Sequence, residues 1–377
     1  VHLVLPWHAR FTRPAREGGV TFHPFRYAPH PRLNVFGYAG ALEADVRLRW
    51  AAYAAAPLAL TAGILAARRV ARDVGATVMH GHWVIPGGAI AAMAAGGRPL
   101  VVSLHGSDVY VAERHAAAGR VARATFARAG WMTACSADLR DRALGLGAAA
   151  DRSEVVPYGV DAARFAPSHD TRTAIRRTLG IDDDAPMVFA AGRFVRKKGF
   201  EFLIDAIGLL RARLPGLVLV MGGDGDLRPE YEARARAAGA ADRVRFVGVL
   251  AQDDVARHLA AADVTVAPSV RDQAGNVDGL PNVVMESLAS GTPLVTTRAG
   301  GIAAVVEHER TGLLVAEGDP AALAVAIERL LSAPDRGRGL GEAARRQVIA
   351  AHGWPQVAER FEQAYARARE WSARRLR

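Results

Sequence analysis

The chain has 377 residues, 50% of them apolar and 23% charged, and a net charge of +10. That length suits two domains, and that composition excludes a disordered tail, a coiled coil and a collagen-like fibre. One cysteine, Cys135, excludes a disulfide scaffold and a multi-cysteine metal site and fits a reduced, cytosolic setting.

Residues 1–5 read as a strand already under way, with no methionine before it and no basic-then-apolar targeting run. A segment upstream is therefore expected. Residues 20–26 form the next candidate strand. Residues 51–67 are charge-free and alanine-rich but carry Pro57, Thr61 and Gly63. A spanning helix needs ~20 strongly apolar residues, so this stretch is read as a buried helix of a soluble domain. Strands are then expected at 77–80, 99–104 and 132–134, with a helix at 116–129 before the last of them.

A break falls near Phe165-Ala166-Pro167-Ser168. Beyond it, strands at 187–191, 217–221, 244–247, 264–267 and 294–296 alternate with helices at 200–213, 229–238, 253–261 and 320–331. A last helix covers 355–374. Short Val-, Leu- and Met-rich runs bounded by Gly and Pro suit strands buried on both faces. Their alternation with helices predicts an α/β protein of two Rossmann-like, doubly wound domains. The expected division is an N-terminal domain at 1–166, a second at 167–351, and a segment at 352–377 returning to the first. Ligand is expected in the cleft between them, at the carboxyl ends of the strands.

Charge is uneven. Residues 1–165 carry +8, residues 166–351 carry −1 and residues 352–377 carry +3. A basic first domain attracts polyanions or an anionic membrane face. No zinc-finger spacing, RNP-like aromatic motif or helix-turn-helix signature points to nucleic acid. A coding bias toward Arg and Ala accounts for the excess equally well.

Two motifs carry chemistry. Strand 187–191 runs into Gly192-Arg193-Phe194-Val195-Arg196-Lys197-Lys198-Gly199. Gly192 ends the strand, so Arg193 and Lys198 fall at its carboxyl end, where a planar fork and a mobile point charge can neutralise a diphosphate. A solvated basic loop is the plain alternative. The second motif is Asp278-Gly279-Leu280-Pro281-Asn282-Val283-Val284-Met285-Glu286. Pro281 suits the first turn of a helix running to about Ser290. Gly279 and Leu280 can then present backbone N–H groups at its start, a ready anion site. Asp278 and Glu286 suit acceptance of hydrogen bonds from sugar hydroxyls, against the plain alternative of one capping and one surface acid.

These motifs, with Gly291-Thr292-Pro293-Leu294-Val295 after them, resemble the group 1 (family 4) retaining glycosyltransferases of the GT-B fold. His105-Gly106-Ser107-Asp108-Val109 resembles that family's acceptor-side histidine motif. Val155 to Phe165 resembles its interdomain segment, and Glu307 to Val315 with Trp354, Phe361 and Tyr365 resembles its closing elements. The resemblance runs from about residue 77 to the end, in the family's order. It implies that Arg193 and Lys198 bind the donor diphosphate, that Glu286 holds the nucleotide ribose, that Asp278 touches the transferred sugar, and that His105 lies near the reacting bond. Gly192 and the backbone of Gly279, Leu280, Pro281 and Asn282 would cradle the sugar and phosphate.

The resemblance departs at two places. The family usually has Glu where this chain has Asp278, one methylene shorter. Its first strand and Gly-rich loop are not found, and residue 1 looks like its second strand. A catalytically impaired nucleotide-sugar-binding protein is therefore the alternative to an active enzyme.

Other candidates are weaker. Asp224-Gly225-Asp226 follows a Gly-rich strand end and reads as a loop near the nucleotide, not a metal motif. Asp182-Asp183-Asp184 reads as a solvated loop. His80-Gly81-His82-Trp83 has no third metal ligand and reads as a strand end. Gly300-Gly301 reads as a turn near the nucleotide.

The resemblance implies transfer with retention, from a nucleotide-diphosphate sugar of the UDP or GDP type to a glycan or lipid-linked acceptor in envelope or exopolysaccharide synthesis. It further implies no metal or other cofactor. A cytoplasmic site is expected, with peripheral contact to the inner face of the plasma membrane through the Arg-rich end from Arg367 to Arg377. Domain closure about Pro167 is expected to gate the reaction.

Overall fold

The structure, a computed structural model, describes the chain except residues 10, 31–32, 37–41, 45–46, 49 and 376–377. It divides into two compact units: Val1–Val155 with Phe361–Arg377, and Val156–Arg360.

In the first unit, β1 (His2–Pro6) lies parallel to β3 (Val20–Phe25), and β2 (Arg16–Glu17) pairs antiparallel with β3. Strands β4 (Leu42–Ala44) and β5 (Arg47–Leu48) form a small antiparallel pair. Strands β6 (Met79–His82), β7 (Leu100–Leu104), β8 (Trp131–Ala134) and β9 (Ser153–Val155) form a parallel sheet in chain order. Helices α1 (Trp50–Asp73), α2 (Ala89–Ala94), α3 (Ser107–Arg114), α4 (Ala116–Arg128) and α5 (Ala137–Gly145) connect them.

Helix α1 departs from expectation. It runs beyond the charge-free stretch, is long and apolar enough to cross a membrane, and has only 28% of its most apolar window buried. Its inward stripe is small: Ala52, Ala55, Ala59, Gly63, Ala67 and Ala71. A Cβ at Gly63 would meet Ile90 and Phe25 at 2.9 and 3.0 Å, so close approach selects small residues on that face. The large apolar side chains of Trp50, Tyr53, Leu58 and Leu65 are left exposed.

The second unit holds β10 (Met187–Ala191), β11 (Val218–Gly222), β12 (Val244–Gly248), β13 (Val264–Ala267), β14 (Leu294–Thr297) and β15 (Leu313–Val315) in one parallel sheet, ordered β12-β11-β10-β13-β14-β15. Its helices are α6 (His169–Leu179), α7 (Phe200–Leu210), α8 (Arg228–Ala237), α9 (Gln252–Ala261), α10 (Asn282–Ser290), α11 (Pro320–Ser332) and α12 (Pro334–His352). Strand β10 is buried on both faces throughout, as its unbroken apolar run predicts. The short strands β9 and β15 lack a sequence signal strong enough to be read. Arg176, fully buried, bonds Asp263 at 2.6 Å and the carbonyls of Asp182 and Ala185, which ties α6 to the amino ends of the central strands β10 and β13.

The division falls after Val155, ahead of the Pro167 region. The intervening segment belongs to the second unit because Arg345 of α12 donates to the carbonyls of Ala162 and Phe165, and Val160 bridges Gly353. Helix α13 (Trp354–Arg375) supplies the first unit from Phe361 onward. There Tyr365 bonds His80 at 3.0 Å, Arg367 lies 4.6 Å over the Trp131 ring, and Arg152 and Arg375 lie 4.5 and 4.7 Å from the Trp371 ring. Trp371 and Arg367 thus fasten this helix to its own unit. Arg377 lies outside the described residues.

Candidate active site

The order of the second sheet reverses between β10 and β13, its first and fourth strands in sequence, and a crevice at the carboxyl ends of such a pair is where doubly wound sheets bind ligand. Both motifs of this unit are delivered there. The loop after β10 is anchored by Phe194, fully buried against Phe200, Tyr231 and Phe246. A tight turn follows, Arg196–Lys198, ending on Gly199 with φ 64°. A Cβ there would stand 2.1 Å from the Pro268 carbonyl oxygen, so only glycine lets this loop meet the loop after β13. The Val270 N–H closes the junction by donating to the Lys197 carbonyl at 2.9 Å.

The two loops share an ion cluster. Asp278 sets one carboxylate oxygen 2.5 Å from Lys198 Nζ and the other 3.2 Å from Lys197 Nζ. Burial alone would raise this carboxyl, but the Lys198 and Lys197 ammonium groups together outweigh it and hold it below its ordinary value. Arg196, by contrast, is turned to Glu230 and Glu201.

Helix α10 starts directly beyond Asp278. Pro281 is extended (φ −66°, ψ 127°) and caps the helix from outside, one position earlier than its expected place in the first turn. Among the described residues, the N–H groups of Gly279, Leu280, Asn282 and Val283 donate no hydrogen bond. Together with the helix dipole they make a candidate anion site. Gly300 (φ 59°) braces it: a Cβ would stand 1.9 Å from the Asp278 carbonyl oxygen, and the next residue, Gly301, donates to the Gly279 carbonyl at 2.7 Å. On the second turn of α10, burial pushes Glu286 up to about 7, with the charge of Lys198 only partly opposing it.

His105 belongs to the first unit, at the carboxyl end of β7. Its Nε2 is 2.9 Å from His82 Nδ1, and the His82 ring stacks on His80 with centroids 4.3 Å apart. His80 bonds Tyr365 through one nitrogen and Ser103 through the other, at 3.0 and 2.7 Å, and Ser103 bonds Thr133 at 2.6 Å. Burial, then the neighbouring imidazoles, push His80 down to about 3 and His105 down to about 4. Histidine nitrogens spent on each other and on hydroxyls fit the reading of this motif as a strand end. Among the described residues no group of three or more His, Cys, Asp or Glu is placed to hold a metal.

Asp108, fully buried, ties this region together. Its carboxylate accepts from Val84 N–H at 2.6 Å and from Gly106 N–H at 3.0 Å. One side chain thereby locks the turn after β6 to the turn after β7. Trp83 stands in that first turn with φ 62°, a left-handed backbone that costs a non-glycine residue about 1–3 kcal/mol. Its indole is 47% exposed and its ring centre lies 5.0 Å from that of His105.

Of the residues read from sequence, the structure gathers Lys198, Asp278, Gly279, Leu280, Pro281, Asn282 and Glu286 around the β10–β13 crevice. Gly192 closes β10 and spends its N–H on the Gly222 carbonyl at 3.0 Å, while Arg193 is exposed on the same loop. The Asp224-Gly225-Asp226 loop lies alongside, its Asp224 carbonyl accepting from Phe194 N–H at 2.9 Å. Sequence reading missed Lys197, which stands between Arg196 and Lys198 in a basic run, and Asp108, whose acidic side chain in an apolar run was the available signal.

A family described as Glycosyl transferases group 1 matches residues 171–347, and one described as Glycosyltransferase Family 4 matches residues 1–164. The chain belongs to the group 1, family 4 glycosyltransferases. It is 33% identical over 260 residues to the GDP-mannose-dependent alpha-(1-6)-phosphatidylinositol monomannoside mannosyltransferase of Mycolicibacterium smegmatis, covering 68% of this chain and 66% of that one. The Mycobacterium tuberculosis protein of the same description is 34% identical over 209 residues, or 55% of this chain and 54% of its own. The chain thus spans roughly two fifths to two thirds of the length of the curated relatives it matches. Two solved structures share its fold: sucrose-phosphate synthase from Thermosynechococcus elongatus (TM-score 0.76, 23% identity, 97% of this chain and 88% of that one) and Anabaena HepE with UDP and glucose (TM-score 0.74, 22% identity, 92% and 86%). The fold is GT-B.

Proposed function

We propose that this glycosyltransferase-family chain moves a hexose-type sugar from a nucleotide-diphosphate sugar to a glycan or lipid-linked acceptor, with retention of anomeric configuration. The observation that carries this reading is the Lys197–Asp278–Lys198 cluster at the β10–β13 crevice, beside the open N–H groups of α10. Cations and unpaired backbone donors there suit a diphosphate; buried acids suit sugar and ribose hydroxyls. The GDP-mannose dependence of the mycobacterial relatives and the UDP bound to Anabaena HepE support a donor of the GDP or UDP type.

In the proposed step the bond from the anomeric carbon to the phosphate oxygen breaks and the acceptor oxygen bonds to that carbon on the same face. The electron pair stays on the leaving phosphate, which takes the acceptor's proton. Lys198, Lys197, Arg193 and the N-terminus of α10 stabilise the charge that develops there, so protein cations rather than a resident metal do this work. Glu286 would accept from the ribose, Asp278 from the transferred sugar, and neutral His105 would stand by the reacting bond. Gly192 would let the loop approach the phosphates.

An envelope or exopolysaccharide role is consistent with the lipopolysaccharide core glycosyltransferase LpsE of Rhizobium meliloti, 41% identical over 157 residues, 42% of this chain and 43% of that one. We place the enzyme in the cytoplasm at the inner face of the membrane. Exposed Trp50, Tyr53, Leu58 and Leu65 on α1, followed by Arg68, Arg69 and Arg72, suit an anionic lipid surface. Co-sedimentation with phosphatidylglycerol but not phosphatidylcholine vesicles, reduced by Leu58→Gln with Leu65→Gln, tests that contact.

The test of the main reading is a thermal-shift series with UDP, GDP and ADP, followed by turnover of labelled UDP-glucose and GDP-mannose. A stabilising shift that Lys198→Met abolishes supports it. No shift with any nucleotide overturns it, and a shift without turnover leaves a binding protein.

A further inference from the structure

We propose that Trp83 is a stacking platform for a ring of the acceptor, a pyranose or a cyclitol, laid beside His105. The inference rests on the glycosyl-transfer reading and extends it to a residue that reading does not use.

Three observations converge on Trp83. Its backbone is left-handed, φ 62°, a conformation that a bulky residue keeps only when its surroundings impose it. The surroundings do impose it. Asp108 holds the next N–H, that of Val84, at 2.6 Å, and the strand leading in is wedged at Gly81, where a Cβ would stand 2.6 Å from the Gly88 backbone. The side chain so aimed is then left in water: the indole is 47% exposed. A strained backbone that presents a large aromatic ring to solvent is unfavourable for folding twice over, which marks the ring for a ligand.

The neighbourhood defines that ligand. The ring lies 5.0 Å from His105, inclined at 56°, and His105 is in turn fixed by His82 at 2.9 Å. Burial pushes both imidazoles below their ordinary value and so keeps them neutral near pH 7, and the surface offers an uncharged π-face. A sugar or cyclitol ring matches it, with a face of polarised C–H bonds for the indole and hydroxyls around its edge left to water.

The test uses the full chain with GDP or UDP present and two probes, methyl α-D-mannopyranoside and myo-inositol, in saturation-transfer NMR. Ring C–H protons of at least one probe should receive saturation from the wild type and from Trp83→Phe, and lose at least fivefold in Trp83→Gly. Glycine suits φ 62°, so Trp83→Gly is expected to fold. Unchanged transfer in Trp83→Gly, or no transfer to either probe from the wild type, overturns the proposal. The nucleotide-induced thermal shift is measured alongside. It should be equal in wild type and Trp83→Gly; its loss in the variant alone refutes a local platform, whereas its absence from the wild type refutes the transferase reading instead.

Discussion

Lys198 meets Asp278 at 2.5 Å across two loops that begin on neighbouring strands, and the other oxygen of the same carboxylate meets Lys197. The site therefore holds its own counter-ion. On the proposed function, a diphosphate entering the crevice would compete with Asp278 for these ammonium groups, which would link donor binding to the stability of the second unit.

Replacing Asp278 with Asn leaves two largely buried lysines without their acid. Breaking a buried pair in this way destabilises by about 3–5 kcal/mol. Saturating nucleoside diphosphate supplies the missing charge, so the ligand-induced rise in Tm should be larger in Asp278→Asn than in wild type. Differential scanning calorimetry with and without ligand checks this; an equal or smaller rise refutes the competition.

Lys198→Met and Arg193→Ala each remove a cation assigned to the leaving phosphate. Loss of one such electrostatic group lowers turnover about 100-fold or more. Near-wild-type kcat in both variants, measured with a donor the wild type turns over, removes these residues from the mechanism.

Glu286 sets a pH dependence. Its folded value is raised from 4.5 to about 7, chiefly by burial. The folded protein holds this proton more tightly than the unfolded chain. Stability from this group is thus complete below about pH 4.5 and is lost as pH rises to about 7, by on the order of 3 kcal/mol. Glu286→Gln should flatten that slope in urea unfolding and raise ligand-free stability at pH 8, while weakening nucleotide binding.

The histidine stack acts in the opposite sense. His80 and His105 titrate at about 3 and about 4 when folded, against an ordinary value of 6.5. The unfolded chain takes up protons first, so stability present above pH 6.5 is lost as pH falls toward 4. His80 alone accounts for about 2 kcal/mol at pH 5. His80→Gln should shrink the fall in Tm between pH 7 and pH 5; an unchanged fall assigns acid sensitivity elsewhere.

Asp108→Ala orphans the N–H groups of Val84 and Gly106. Each unsatisfied buried donor costs about 1–3 kcal/mol. The expected result is a lower urea midpoint with an unchanged m-value; a neutral effect would show that neither turn depends on this carboxylate.

Local pattern determined much of this protein. Unbroken apolar runs such as 187–191 specify strands buried on both faces, and Gly and Pro mark where they stop. The residues to which the proposed function gives roles, Arg193, Lys198, His105, Asp278 and Glu286, were legible as types at strand ends and a helix start. Periodicity could not say which way α1 faces, because a stripe of alanines and a stripe of leucines read alike until a close-packed neighbour admits only the small side. Nor could it pair Lys197 and Lys198 with Asp278, some eighty positions away. That pairing follows from sheet order: β13 lies beside β10, and a glycine at 199 permits their loops to touch. Long-range order decides which charges share a site, since Coulomb attraction depends on distance in space and sequence fixes only distance along the chain.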